Sequence, residues 1–125
     1  MRRLRTLAVF LTGIVLAGCA TLPPARPIPD LKSIAGKWEG TVTLPTGTFP
    51  YTLTIREDGS WEGTSPTLPP GRFEGNVRVS GGKALWISRT TGAMGTYTLH
   101  EGEGRRALRL EVEGGTGTAT LRPAK

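Results

Sequence analysis

The 125-residue chain has one cysteine and one histidine, and its eight aromatic residues amount to 6% of the total. A single Cys excludes a disulfide scaffold and any cysteine-based zinc site. A single His leaves the serines at 33, 60, 65, 80 and 88 without a second imidazole to choose from, and His100 itself follows Leu99 in an alternating stretch that turns it outward. A Ser-His-Asp arrangement therefore has little to build from. The carboxylate pairs Glu101/Glu103 and Glu111/Glu113 fall on solvent-phase or turn positions and read as solvated charges, not an acid/base pair. Metal ligands are too few for a site, and Gly102-Glu103-Gly104 lacks the strand-to-helix setting of a phosphate loop. No window of useful length has a helical period. The expectation is a protein that is not an enzyme and carries no metal or cofactor.

Positive charge is in excess overall, at a formal +6, but its placement matters more than its sum. Arg2, Arg3 and Arg5 precede an apolar run from Leu7 to Ala17 that ends in Gly18-Cys19. A basic start, about ten apolar residues and small residues at the end describe a secretory signal peptide too short to span a bilayer. Without those three arginines the chain has 13 Lys+Arg against 10 Asp+Glu, and only Arg105-Arg106 are adjacent. Nucleic-acid binding needs clustered cations interleaved with stacking aromatics, so it is not expected.

Leu16-Ala17-Gly18-Cys19 resembles the lipobox of bacterial lipoproteins. The resemblance implies cleavage between Gly18 and Cys19 and acylation of the Cys19 thiol, palmitate being a typical acyl group. It also implies a membrane anchor, since two or three chains hold where one binds only marginally. Ala20 stands where an Asp would retain such a protein in the inner membrane. The implied location is the outer membrane, on its periplasmic face. Residues 1–18 are then a leader, and 19–33 a lipidated Cys followed by a spacer. The stretch Ala20–Ser33 holds four prolines between Pro23 and Pro29, which favours an extended tether with nothing to bury, reaching up to roughly 40 Å.

From residue 34 to 125 the pattern has period two. Trp38, Gly40, Val42 and Leu44 alternate with Glu39, Thr41 and Thr43; Phe73, Gly75, Val77 and Val79 alternate with Arg72, Glu74, Asn76 and Arg78; Leu108, Leu110 and Val112 alternate with Arg109, Glu111 and Glu113. Asp58-Gly59, Gly81-Gly82 and Gly114-Gly115 are two-residue hairpin signals. The spacing predicts eight strands near 37–44, 51–57, 60–65, 72–80, 83–89, 95–101, 105–113 and 116–122. The predicted fold is all-β, an eight-stranded antiparallel up-and-down meander. Closure into a small barrel removes two long edges, and Gly40, Gly63, Gly75, Gly95 and Gly117, all in the apolar phase, permit the bending. Strands mostly of seven to nine residues with a Thr-rich polar face and no aromatic girdles predict an apolar interior rather than a lipid-facing surface.

Gly36-Lys37-Trp38 at the first strand matches the Gly-x-Trp signature of the lipocalin-like (calycin) superfamily, which the domain is similar to. The resemblance implies that Trp38 closes one barrel end and that the lumen takes an apolar small molecule. Trp38, Tyr51, Trp61, Phe73 and Tyr97 are the candidate lumen residues. The same side chains could instead fill the core of a module that binds another envelope protein, as an inhibitor or a structural element. Small lipoprotein barrels also resemble periplasmic protease inhibitors, which usually carry a disulfide that this chain lacks. Following the strands up and down puts the tight turns at the tether end, with Trp38. The longer loops at 45–50, 66–71 and 90–94 then form an opposite mouth, where any ligand or partner should engage. Pairing of the first and last strands would set Glu39 beside Arg122 as a cross-strand ion pair.

Overall fold

The computed structural model describes residues 22–125, so Gly18 and Cys19 lie outside the described residues. Its strands are β1 (Ala25–Arg26), β2 (Gly36–Leu44), β3 (Gly47–Ile55), β4 (Ser60–Thr64), β5 (Arg72–Ser80), β6 (Lys83–Ser88), β7 (Met94–Gly102), β8 (Arg105–Val112) and β9 (Thr118–Pro123). From β2 to β9 each strand pairs antiparallel with the next, and β9 returns to β2 through Trp38↔Pro123 to Thr43↔Thr118. The protein is an all-β, closed eight-strand antiparallel barrel. Its ladder has no unpaired long edge, which is what period-two sequences of this length achieve by closing.

The alternation read from the sequence is the in/out alternation of the barrel. Trp38, Val42, Leu53, Ile55, Trp61, Val77, Leu99, Leu108, Leu110 and Leu121 are all buried, while the intervening Thr, Arg and Glu are exposed or half-buried. Two of the inward glycines pair directly with tryptophans, Trp61 with Gly75 and Trp86 with Gly95. A Cβ at Gly95 would overlap the Glu111 carbonyl oxygen and meet the Trp86 ring at 2.7 Å; one at Gly75 would meet the Trp61 ring at 2.7 Å. Each indole thus lies across a bare stretch of the neighbouring backbone, which is how so narrow a barrel holds two large rings.

Three sequence expectations are corrected. Residues 45–50 do not form a long loop. β3 begins at Gly47, which pairs with Leu44, so Pro45-Thr46 is a tight turn. Gly47 adopts φ +145°, a conformation a side chain would resist. Pro50 is tolerated within β3 because it lies beyond the last β3–β4 pair, Thr52↔Thr64, on a locally free edge.

The second correction concerns the spacer. In its described part, Ala20–Ser33 is packed onto the barrel. β6 covers β7 only over Met94–Tyr97, and β1 takes up the vacated edge through Ala25↔His100 and Arg26↔Leu99. The Glu101 amide donates to the Pro24 carbonyl at 3.0 Å and the Ile28 amide to Gly82 O at 2.8 Å. Ile28 and Ile34 are 1% and 0% exposed, and Asp30 caps the 3-10 turn Leu31–Ser33 by accepting from the Ser33 amide at 3.0 Å. Prolines suit this path because the segment is an added edge with few amides needed for pairing. Packed residues thus extend back at least to Pro23, which is buried, and do not start at residue 34.

Third, Glu39 and Arg122 do face each other in register, but they form no ion pair. The outer-face pairs among the described residues run elsewhere, with Arg56–Glu62 and Arg72–Glu62 at 3.0 Å. At two exposed positions on a barrel wall, solvent competes well enough that register alone does not bring the charges together.

Candidate functional site

The barrel has two unlike ends. The tight turns between β3 and β4, β5 and β6, and β7 and β8 share one end with the Pro23–Ile34 segment, and this end is sealed. Trp38 is its plug: its ring is 2% exposed, its Nε1 donates to Ile34 O at 3.0 Å, and the Arg106 guanidinium carbon sits 5.2 Å from the ring centroid. Arg106 also donates Nε to Glu101 Oε2 at 2.9 Å and Nη2 to the Ser33 carbonyl. One cation thereby ties the N-terminal segment, the plug and the β7–β8 hairpin together. The adjacent Arg105 turns instead to Glu103 at 3.6 Å, so the only adjacent pair of cations among the described residues is divided between two structural tasks.

The opposite end is open. Inside it lies a cavity of about 240 Å³ lined by Val42, Leu44, Tyr51, Trp61, Leu68, Phe73, Trp86, Ser88, Thr91, Ala93, Tyr97, Leu110, Val112 and Thr116. Leu68, Thr91, Ala93 and Thr116 come from the loops at 65–71, 89–93 and 113–117, whereas Trp61, Trp86, Tyr97 and Leu110 come from the strands below. No charged side chain is among them. Trp61 and Trp86 meet edge to face at 5.9 Å and 87°, and Trp86 stacks on Tyr97 at 6.2 Å and 26°, so the aromatic wall is a continuous, mutually braced surface.

The polar atoms of that wall are largely spent on the protein itself. Trp61 Nε1 donates to Asn76 O at 3.1 Å and Trp86 Nε1 to Thr96 O at 3.3 Å. Ser88 Oγ accepts from the Thr91 amide, and Thr91 Oγ1 from the Ala93 amide, both at 3.2 Å. The Tyr97 hydroxyl, by contrast, is buried and has no partner among the described residues. Burial pushes its pKa well above the ordinary tyrosine range, with the nearby Tyr51 adding to the shift. Burial likewise pushes Tyr51 up to about 12. Both phenols are neutral at any physiological pH.

Of the five candidate lumen residues, the structure brings Tyr51, Trp61, Phe73 and Tyr97 together around this cavity. Phe73 is only half-buried, near the mouth and 6.4 Å from Tyr51. Trp38 is placed apart: it fills the sealed end and lines no part of the cavity, because the packed N-terminal segment closes over it. Trp86 belongs to the site and was not among the candidates, although Ala84, Trp86 and Ser88 alternate with Leu85 and Ile87 and all three are buried. His100 does point outward, but it is not exposed. The Pro23 carbonyl meets its Nδ1 at 2.9 Å, and β1 covers that side of the ring. Of the three predicted mouth loops, 66–71 and 90–94 contribute to the rim, and the turn at 113–117 takes the place of 45–50.

A second, larger depression of about 640 Å³ runs along the outside of β5–β8, where Arg78, Glu111 and Glu113 border Leu85, Ile87 and Met94. Those three apolar side chains are 37%, 43% and 42% exposed. It is a trough on the outer face with charged margins, whereas the cavity at the open end has no charged side chain in its lining.

No protein-family model and no curated protein sequence matches the chain. Among solved structures, it is similar to the fluorescent protein UnaG, with a TM-score of 0.41 and 13% identity over 75% of this chain and 99% of that one. The fold assignment rests on the ladder itself, which closes between β2 and β9.

Proposed function

We infer that the chain is a periplasmic lipoprotein, anchored to the outer membrane through Cys19, whose barrel binds a small apolar molecule through its open end. The observation that carries the binding half is the cavity: uncharged, walled by Tyr51, Trp61, Trp86 and Tyr97, in a barrel whose other end is plugged by Trp38. Apolar pockets with few polar groups are the usual form of a small-molecule site. At about 240 Å³ this one falls below the roughly 300–1,000 Å³ of drug-sized pockets, which favours a slender or small guest. Catalysis has no part in this reading, since His100 sits on the outer face beneath Pro23.

The anchoring half rests on the resemblance of Leu16–Cys19 to a lipobox. Only Ala20, Thr21 and Leu22 separate Cys19 from the buried Pro23, so the leash spans at most about 14 Å. The sealed end would stand close to the bilayer and the open end would face away. Cys19→Ser should move the protein wholly out of the membrane fraction or leave it uncleaved, because the acyl chains supply the membrane affinity. Retention with outer membranes after a high-salt wash would contradict this.

The second reading, a module that binds another envelope protein, is favoured by the exposed cluster Leu85, Ile87 and Met94 on the outer face. Native mass spectrometry of the mature Cys19→Ser chain separates the two. A bound species of a few hundred daltons supports the small-molecule reading; a stoichiometric protein complex with an empty barrel supports the module.

A further inference from the structure

The proposal below rests on the small-molecule reading and specifies the class of guest. A carboxylate, phosphate or ammonium entering the cavity would find no counter-charge, because no Lys, Arg, His, Asp or Glu lines it. The arginines beside the mouth loops do not supply one. Arg72 points outward to Glu62 and Glu74 at 3.0 Å, and Arg89 to Glu74 at 3.8 Å and to Asn76 Oδ1. Burying an ion without a partner is costly enough that the group neutralises or stays in water. The inner wall nevertheless holds a buried polar atom with no partner among the described residues, the Tyr97 hydroxyl, while the indole N–H groups donate to backbone carbonyls and the Ser88 and Thr91 hydroxyls accept from backbone amides. A buried hydroxyl without a partner is unfavourable, and a guest carrying an acceptor would relieve it. We propose that the cavity selects small, chiefly apolar molecules bearing one uncharged hydrogen-bonding group, such as an alcohol, ketone or ester, seated with that group inward on the Tyr97 hydroxyl. The phenol stays neutral throughout the physiological range, so it serves as a donor to a neutral oxygen.

Three ten-carbon probes that differ only in the head test this: 1-decanol, decanoate and decylamine, titrated by calorimetry into the mature Cys19→Ser chain at pH 8. Decanol should bind at least about 30-fold more tightly than either ion, since an ordinary carboxylate must be neutralised against about three pH units to enter, and each unit is a factor of ten. Tyr97→Phe should weaken decanol about 5- to 10-fold and leave decanoate unchanged, the effect of one neutral hydrogen bond. Decanoate binding as tightly as decanol would mean that the head remains in water at the mouth. That result overturns the proposal and leaves the ligand-binding reading standing. An unchanged decanol affinity in a Tyr97→Phe variant that melts like the parent would overturn the inward seating. No binding by any of the three would overturn both. The comparison of heads on the parent chain stands whatever the variant does.

Discussion

Trp38→Ala should lower stability by about 3–5 kcal/mol, a large share of the 5–15 kcal/mol typical of a single domain. In a domain of this size that corresponds to a fall in Tm of roughly 15–25 °C. Three losses coincide at this position. The plug of the sealed end is 2% exposed, so its removal opens a void inside that end of the barrel. The Ile34 carbonyl loses the indole N–H that meets it at 3.0 Å. Arg106 loses the ring beneath it at 5.2 Å. Phe73→Ala, at the half-buried mouth, should cost distinctly less. Thermal unfolding followed by circular dichroism measures both, and equal shifts would show that the two ends of the barrel are not the unlike ends described here.

The paired substitution Ile28→Ala/Ile34→Ala should be at least as damaging, at about 2–5 kcal/mol for each site if the two act independently. The residues come from a segment whose prolines suggest a spacer, and a spacer would tolerate both changes. Ile28 and Ile34 are instead 1% and 0% exposed and belong to the same core cluster as Trp38, Leu53 and Leu108. Amide exchange offers a more local reading: in the double variant the Glu101 amide, which donates to Pro24 O, should lose protection before the amides of β2 and β3. An unchanged melting temperature would restore the spacer.

How legible all this was in the sequence depended on the range over which each feature is decided. Period-two alternation is local, and it marked the strands and their phase because one face of each is buried and the other wet. The same alternation also pointed Trp86 inward between Ala84 and Ser88, so that part of the site was present in the pattern. The start of β3 was not, since Pro-Thr-Gly-Thr-Phe-Pro over 45–50 has loop composition. It pairs only because Gly47 turns the chain and Pro50 falls on a free stretch of edge. The N-terminal segment was least legible. Its partners, His100, Glu101 and Gly82, lie more than fifty residues away, and two isolated isoleucines among prolines have no period to reveal what they cover. The cavity was partly legible: Tyr51, Trp61, Phe73 and Tyr97 were visible as inward aromatics. Whether they filled the barrel or lined a space depended on Trp61 and Trp86 lying across Gly75 and Gly95, an arrangement set by register between strands.

The central claim is that a small neutral guest enters the barrel from its open end. It is tested most directly by titrating 1-decanol into the ¹⁵N-labelled mature Cys19→Ser chain and following the backbone amides. The account predicts shifts confined to the cavity and its rim, at Val42, Tyr51, Trp86, Ala93, Tyr97 and Leu110, with the indole N–H resonances of Trp61 and Trp86 moving and that of Trp38 still. Shifts gathered instead on Arg78, Leu85, Ile87 and Glu113 along the outer trough, or spread over the Trp38 end, would contradict it.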